Sequence, residues 1–443
     1  MRHPQAHPRP SRVLWSAVLL MVHGLCAAAD PSGSAPVPLP GPEAIVEDAE
    51  AGDVFALERA RTSVTDPALA AIARARIAAA RLRAAEATSI ARAVASDAAT
   101  SPDQQSRAWA VLADASFTAG DYADAATAVE GWSAALQQRK APRKDIDDAQ
   151  RMGALAFALS SAPPQRMESL APRTAPVRTD KVGLSRADAN VNGHSQEAVL
   201  DTGAGLSVVS QSTATRLGLR MLEREATIGS AARDAVPTRI GVAEKFEFAG
   251  LALRNVAFLV LDDKQLELPV PGGYRIDAII GFPVLREFKR IRFDRSGSMT
   301  PEPDATPQSP TENLRIVGNS LYVDARFRGI PVAMHLDSGG SRSSLSSRFS
   351  HRHPHLVEGL ATTDERLAGA GGATTRRSAV MREATLEVAG RTATLPELSI
   401  VVEDGGDVEA ENFGLLGGDV LNQFDWWALD FEAMTFELGP ALR

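Results

Sequence analysis

Two short segments of the chain carry the same triplet at the end of an apolar run: Leu200-Asp201-Thr202-Gly203 and Leu336-Asp337-Ser338-Gly339. Glycine permits a tight turn and a close approach of a second backbone, and the hydroxyl can bond a facing loop. Each aspartate is thereby expected at a loop tip near an interface. If two such loops meet, carboxyls about 3 Å apart cannot both ionise at neutral pH, so they share one proton. One carboxyl then acts as base toward a water while the other donates to a substrate carbonyl. Such a pair can add water to a peptide bond without a covalent intermediate.

The two aspartates are 136 positions apart, and that offset recurs. Gly193 and Gly329 precede them by eight residues, while Ile279-Ile280-Gly281 and Leu415-Leu416-Gly417 place a second glycine 80 residues after them. The same shift continues through Leu285/Leu421, Phe288/Phe424 and Asp294/Asp430. One unit of roughly 110 residues therefore occurs twice, each copy presenting one carboxylate.

On these motifs the sequence resembles the aspartic peptidases of the pepsin and retropepsin type, and in lobe size the retropepsin-like proteins of bacteria. The resemblance covers 182–296 and 313–437. It implies a catalytic pair, Asp201 and Asp337, with Thr202 and Ser338 locking the two loops through reciprocal hydroxyl-to-backbone bonds around Gly203 and Gly339. The apolar-apolar-Gly segments, Ile279-Ile280-Gly281 and Leu415-Leu416-Gly417, would thread beside the loops and support them. Pepsin-like enzymes also bond the aspartate from a serine two residues past the motif's glycine. Ser341 matches that pattern and Gly205 does not, so the resemblance implies unequal aspartates. No tyrosine lies between Asp201 and Val270 where a pepsin-like flap would carry one. Gly229-Ser230 and the Gly369-Ala370-Gly371-Gly372 run look more like glycine-rich retropepsin flaps. Lobes that only bind a peptide would keep the same turn glycines, so a non-catalytic peptide-binding scaffold is the alternative.

Other chemistries fit less well. Asp337-Ser338-Gly339-Gly340 resembles the nucleophile segment of chymotrypsin-like peptidases, but Leu336 replaces the expected glycine. Only His194 and His335 precede it in the mature chain, neither in the setting of a general base. His351-Arg352-His353-Pro354-His355 could ligate a metal, yet Pro354 and the lack of a nearby acid favour a solvated loop. With no glycine-rich phosphate loop and no Gly-x-Ser-x-Gly elbow, no cofactor and no metal are expected.

The elements that must position the aspartates follow from patterning. From about 178 onward, alternating runs such as Leu321-Tyr-Val-Asp-Ala-Arg-Phe read as strands. Each copy should be a small, all-β, closed-barrel-like lobe with one or two short helices, one starting after Phe282-Pro283 and its counterpart after Gly418. The Ala- and Arg-rich region 46–160 reads as an all-α domain. Within it, Trp109 to Ala125, with the Gly120-Asp121-Tyr122 turn, resembles one tetratricopeptide repeat; an ordinary helical hairpin is the equal alternative. Stretches rich in proline are read as linkers at 30–45, 161–181 and 297–312, leaving lobes at 182–296 and 313–440.

Arg2, Arg9 and Arg12, the apolar run from Val13, and Ala27-Ala28-Ala29 read as a cleaved signal peptide over 1–29. The protein is then expected to be periplasmic or secreted, with no membrane span after cleavage. Removing the three arginines takes the formal net charge from −8 to −11, against nucleic acid as a partner. The one cysteine, Cys26, falls within that segment, so the mature chain would have neither disulfide nor thiol nucleophile. A peptide or protein substrate is the expected partner, with a possible second partner on the helices. Because both lobes lie in one chain, a monomer would suffice.

Overall fold

The computed structural model describes residues 13–15, 41–229, 236–268, 273–308, 311–369, 372–404 and 412–442. A helical region is followed by large β-sheets, as the patterning predicts. Seven α-helices lie between Pro42 and Leu159 among the described residues. Helices Pro102–Ala119 and Tyr122–Gln138 form the expected hairpin. Gly120 ends the first with φ +85°, and the Asp121 side chain caps the second through the Asp124 N–H. Phe117 and Tyr122 close the corner edge to face, with ring centroids 5.2 Å apart. Of the expected signal segment, only Val13–Trp15 is described, as a short strand parallel to Arg366–Ala368. No helix among the described residues is long and apolar enough to cross a membrane.

The two halves close into six-stranded barrels with the same strand order. In the first, strands 185–191, 194–200, 278–280, 207–210, 251–261 and 236–248 pair in that sequence, and the last returns to the first. In the second, strands 320–327, 330–336, 414–416, 344–345, 391–403 and 372–388 do the same. Tight two-residue turns start both, Asn192-Gly193 and Arg328-Gly329, and all four residues have positive φ. That twist matches the flanking strands. The 136-residue register is not continuous: the later hairpin turns, Ala249-Gly250 and Ala389-Gly390, stand 140 apart, and the offset is 136 again at Ala278/Gly414.

Two segments read as linkers are structured instead. Arg166–Leu170 pairs with Leu251–Arg254, and Arg178–Thr179 with the start of the first barrel. Ala175–Pro176 and Ser298–Pro301 belong to a five-stranded sheet shared by both halves. Proline is tolerated there because these are edges or strand ends, where a missing N–H costs little. The helical region likewise starts at Pro42, inside the first stretch read as a linker.

In the shared sheet, Arg290–Asp294 lies antiparallel to Trp426–Asp430, with Phe293 stacked on Trp427 at 4.0 Å. The helices pack onto both halves rather than standing apart: in the first, Arg286 donates to the Thr118 carbonyl and Arg224 lies over the Phe157 ring. Arg315, with a 1% exposed side chain, donates to Glu58 at 2.8 and 2.7 Å, and Arg352 reaches Asp48 at 2.8 and 2.7 Å. Gly52 lies so close to the Tyr322 ring that a Cβ there would sit 2.2 Å from it.

Candidate active site

Asp201 and Asp337 stand at equivalent strand ends and are brought together. Each central strand is threaded by the apolar-apolar-Gly strand in parallel, with Ile279 beside Val199 and Ile280 beside Leu200, then Leu415 beside His335 and Leu416 beside Leu336. The backbone bonds repeat with it. Asp201 N–H donates to Ile280 at 3.1 Å and Asp337 N–H to Leu416 at 3.0 Å; Phe282 donates to Ala204 at 2.9 Å and Gly418 to Gly340 at 2.7 Å. Gly281 and Gly417 pass so near the loops that a Cβ would meet backbone atoms at 2.5 and 2.8 Å. This close approach is why glycine ends both segments.

The loops are locked to each other. Thr202 Oγ1 donates to the Leu336 carbonyl and accepts the Ser338 N–H, both at 2.9 Å. Ser338 Oγ donates to the Leu200 carbonyl at 3.1 Å and accepts the Thr202 N–H at 3.0 Å. Gly203 sits against the opposite acid: a Cβ there would lie 2.7 Å from Asp337 Oδ1 and 3.2 Å from Asp201 Oδ1.

Both carboxyls are fully buried, at 0% exposure. Burial, and then the Asp337 charge, raise the Asp201 pKa well above the ordinary carboxylate range, against the Gly203 N–H that donates to Oδ1 at 2.8 Å. Burial likewise pushes Asp337 up to about 7. At neutral pH such a pair retains a proton, and its titration belongs to the pair rather than to either residue. The arrangement can therefore offer an acid and a base side by side.

The remaining sequence-predicted residues distribute unevenly. The Gly339 and Gly340 N–H groups lie against the Asp337 carboxyl and oppose the effect of burial on it. Gly229 follows strand Arg220–Ile228, and Gly369 pairs with Gly372 where strands Thr362–Gly369 and Gly372–Val388 adjoin; Ser230 and Gly371 lie outside the described residues. Ser338 Oγ is committed to the loop lock. His335 is fully buried, without a hydrogen-bond partner, and its pKa is lowered to about 4 by burial. A serine mechanism thus lacks its base here. Among the described residues, no cluster of His, Cys, Asp and Glu could hold a metal.

Sequence reasoning missed a second matched pair. Ser207 Oγ accepts the Gly281 N–H at 3.2 Å, and Ser343 Oγ accepts the Gly417 N–H at 3.0 Å. Both serines obey the 136-residue spacing, so the signal was present.

Residues 187–284 match the aspartyl protease family model. The match contains Asp201 and Gly281 and stops short of the second half. The crystal structure of a retropepsin-like aspartic protease from Rickettsia conorii is similar over 31% of this chain and 91% of that chain, at 16% identity and a TM-score of 0.21. No curated protein matches the chain.

Proposed function

We propose that this chain is an aspartic endopeptidase in which Asp201 and Asp337, one from each of two duplicated retropepsin-like halves, activate a water against a peptide bond. The observation that carries the reading is the reciprocal lock of Thr202 and Ser338, which holds two buried carboxyls at facing loop tips. One carboxylate takes a proton from the water, the other donates to the scissile carbonyl, and the tetrahedral species collapses with proton transfer to the leaving amine. Neither step needs a cofactor. The helical region would be a tetratricopeptide-like module, and the protein would act after export as a monomer on peptide or protein substrates.

Replacing Asp201 and, separately, Asp337 by Asn should abolish hydrolysis of an unbiased peptide mixture while circular dichroism stays that of the parent. A wild-type protein that cleaves nothing between about pH 3 and pH 7 would remove the enzyme reading. The complete burial of both carboxyls favours one rival, a peptide-binding scaffold without activity. Under that reading both Asn variants retain peptide binding and there is no activity to lose.

A further inference from the structure

The turn that opens the second half is held by an acid from outside it. In the first half, Asp180 Oδ1 accepts the N–H groups of Val182 and Leu184, both at 3.0 Å, ahead of strand 185–191. Shifted by 136, Val182 becomes Gly318, and Asp180 becomes Ile316, whose side chain accepts nothing. The Gly318 N–H donates instead to Asp114 Oδ1 of helix Pro102–Ala119, at 2.8 Å in a buried contact. The other Asp114 oxygen accepts from Arg76 of helix Pro67–Ala80. The helices thus supply in the second half the acceptor that the first half carries itself.

One residue further on, the same turn reaches across to the other half. Asn319 Nδ2 donates to the Gly205 carbonyl at 2.9 Å, again buried. Its counterpart in the first half is Gly183, which has no side chain to return the bond. Asn319 has φ +63°, a left-handed conformation that asparagine tolerates better than most residues.

We infer that Asn319 and Asp114 are positioning residues for the Asp201 loop, so that the helical domain is part of the catalytic unit rather than an appended module. This rests on the peptidase reading above. Gly205 lies in the same loop as Gly203, whose N–H holds the Asp201 carboxyl. A shift of that loop moves Asp201 relative to Asp337, and a displacement of about 1 Å at a reacting group can cost on the order of a hundredfold in rate.

Two variants test it. Asn319→Gly installs the residue of the first half's counterpart, Gly183, which adopts the left-handed backbone readily and carries no donor. Arg76→Leu with Asp114→Leu removes the acceptor without leaving either charge buried alone. Amide exchange across 201–206 should quicken about tenfold or more in both variants. kcat should fall about tenfold or more, with KM changed less than about twofold. Exchange at 201–206 that stays at the wild-type rate in Asn319→Gly overturns the inference. So does a kcat above wild type, which would mean that the helices restrain the site. A wild type without peptidase activity sinks the enzyme reading and the catalytic role with it, whereas the exchange rates judge the tie by themselves.

Discussion

The loop lock predicts an inequality between two hydroxyls that look alike in the sequence. Thr202 is fully buried, whereas Ser338 is partly exposed. Thr202→Val keeps the shape of the side chain but strips the Ser338 N–H of its acceptor and the Leu336 carbonyl of its donor. The valine methyl fills the place of the hydroxyl and keeps water out, so the Ser338 N–H of a part-buried contact and the buried Leu336 carbonyl both stay unpaired; at about 1 kcal/mol per lost bond and about 1–3 kcal/mol for an unsatisfied donor, the variant should lose roughly 2–4 kcal/mol. Ser338→Ala removes the matching pair of bonds, to the Thr202 N–H and the Leu200 carbonyl, but the truncation leaves room at a partly exposed position for a water to take them up, and about 1–2 kcal/mol is expected. Because the two hydroxyls tie the same two loops, the double variant should depart from additivity by at least about 0.5 kcal/mol. Equilibrium urea unfolding, followed by tryptophan fluorescence, reads all three values. A Ser338→Ala loss equal to or larger than that of Thr202→Val, or a strictly additive double variant, would refute the reasoning.

Two further outcomes follow from burial and close approach. Because burial holds both Asp201 and Asp337 above the ordinary carboxylate range, with Asp337 up to about 7, the native pair holds more protons than the unfolded chain from about pH 4 upward, and its contribution to stability is lost as pH rises toward 7. Asp337→Asn should therefore gain on wild type in thermal midpoint steadily from pH 4 to 7, and a difference independent of pH would contradict the raised pKa. Gly281→Ala places a Cβ 2.5 Å from the Ala204 carbonyl, and at least about 2 kcal/mol should be lost. An unchanged melting temperature would mean that the strand does not thread against the Asp201 loop.

What the sequence made legible was the part encoded by repetition. Asp201, Asp337, Thr202, Ser338 and the two apolar-apolar-Gly strands were found because a single offset relates them, and the barrel pattern followed from period-two alternation. Ser207 and Ser343 were equally regular but lay outside the triplet, where serine has many uses. The strands within 161–181 and 297–312 were hidden because proline argues against a strand interior and says little about an edge. Asn319 and Asp114 left no local trace. Their roles arise where a helix, a turn and a loop from distant parts of the chain converge, with 204 positions between Gly318 and Asp114 and 114 between Asn319 and Gly205, and no spacing along the chain marks such a meeting.

The shared sheet has a bearing on what the connection between the halves is for. Strand 290–294 is flanked by 298–301 from its own half and by 426–430 from the other, and Arg290 is bonded to Glu437 at 2.7 Å across the boundary. None of these contacts runs through the peptide that joins the halves after Pro301. A nick there would leave two fragments still complementing each other, with the hydrogen-bonded ladder intact. Covalent continuity is thus a device for stoichiometry: it delivers one copy of each unlike half to every molecule, at an effective concentration that dilution cannot lower.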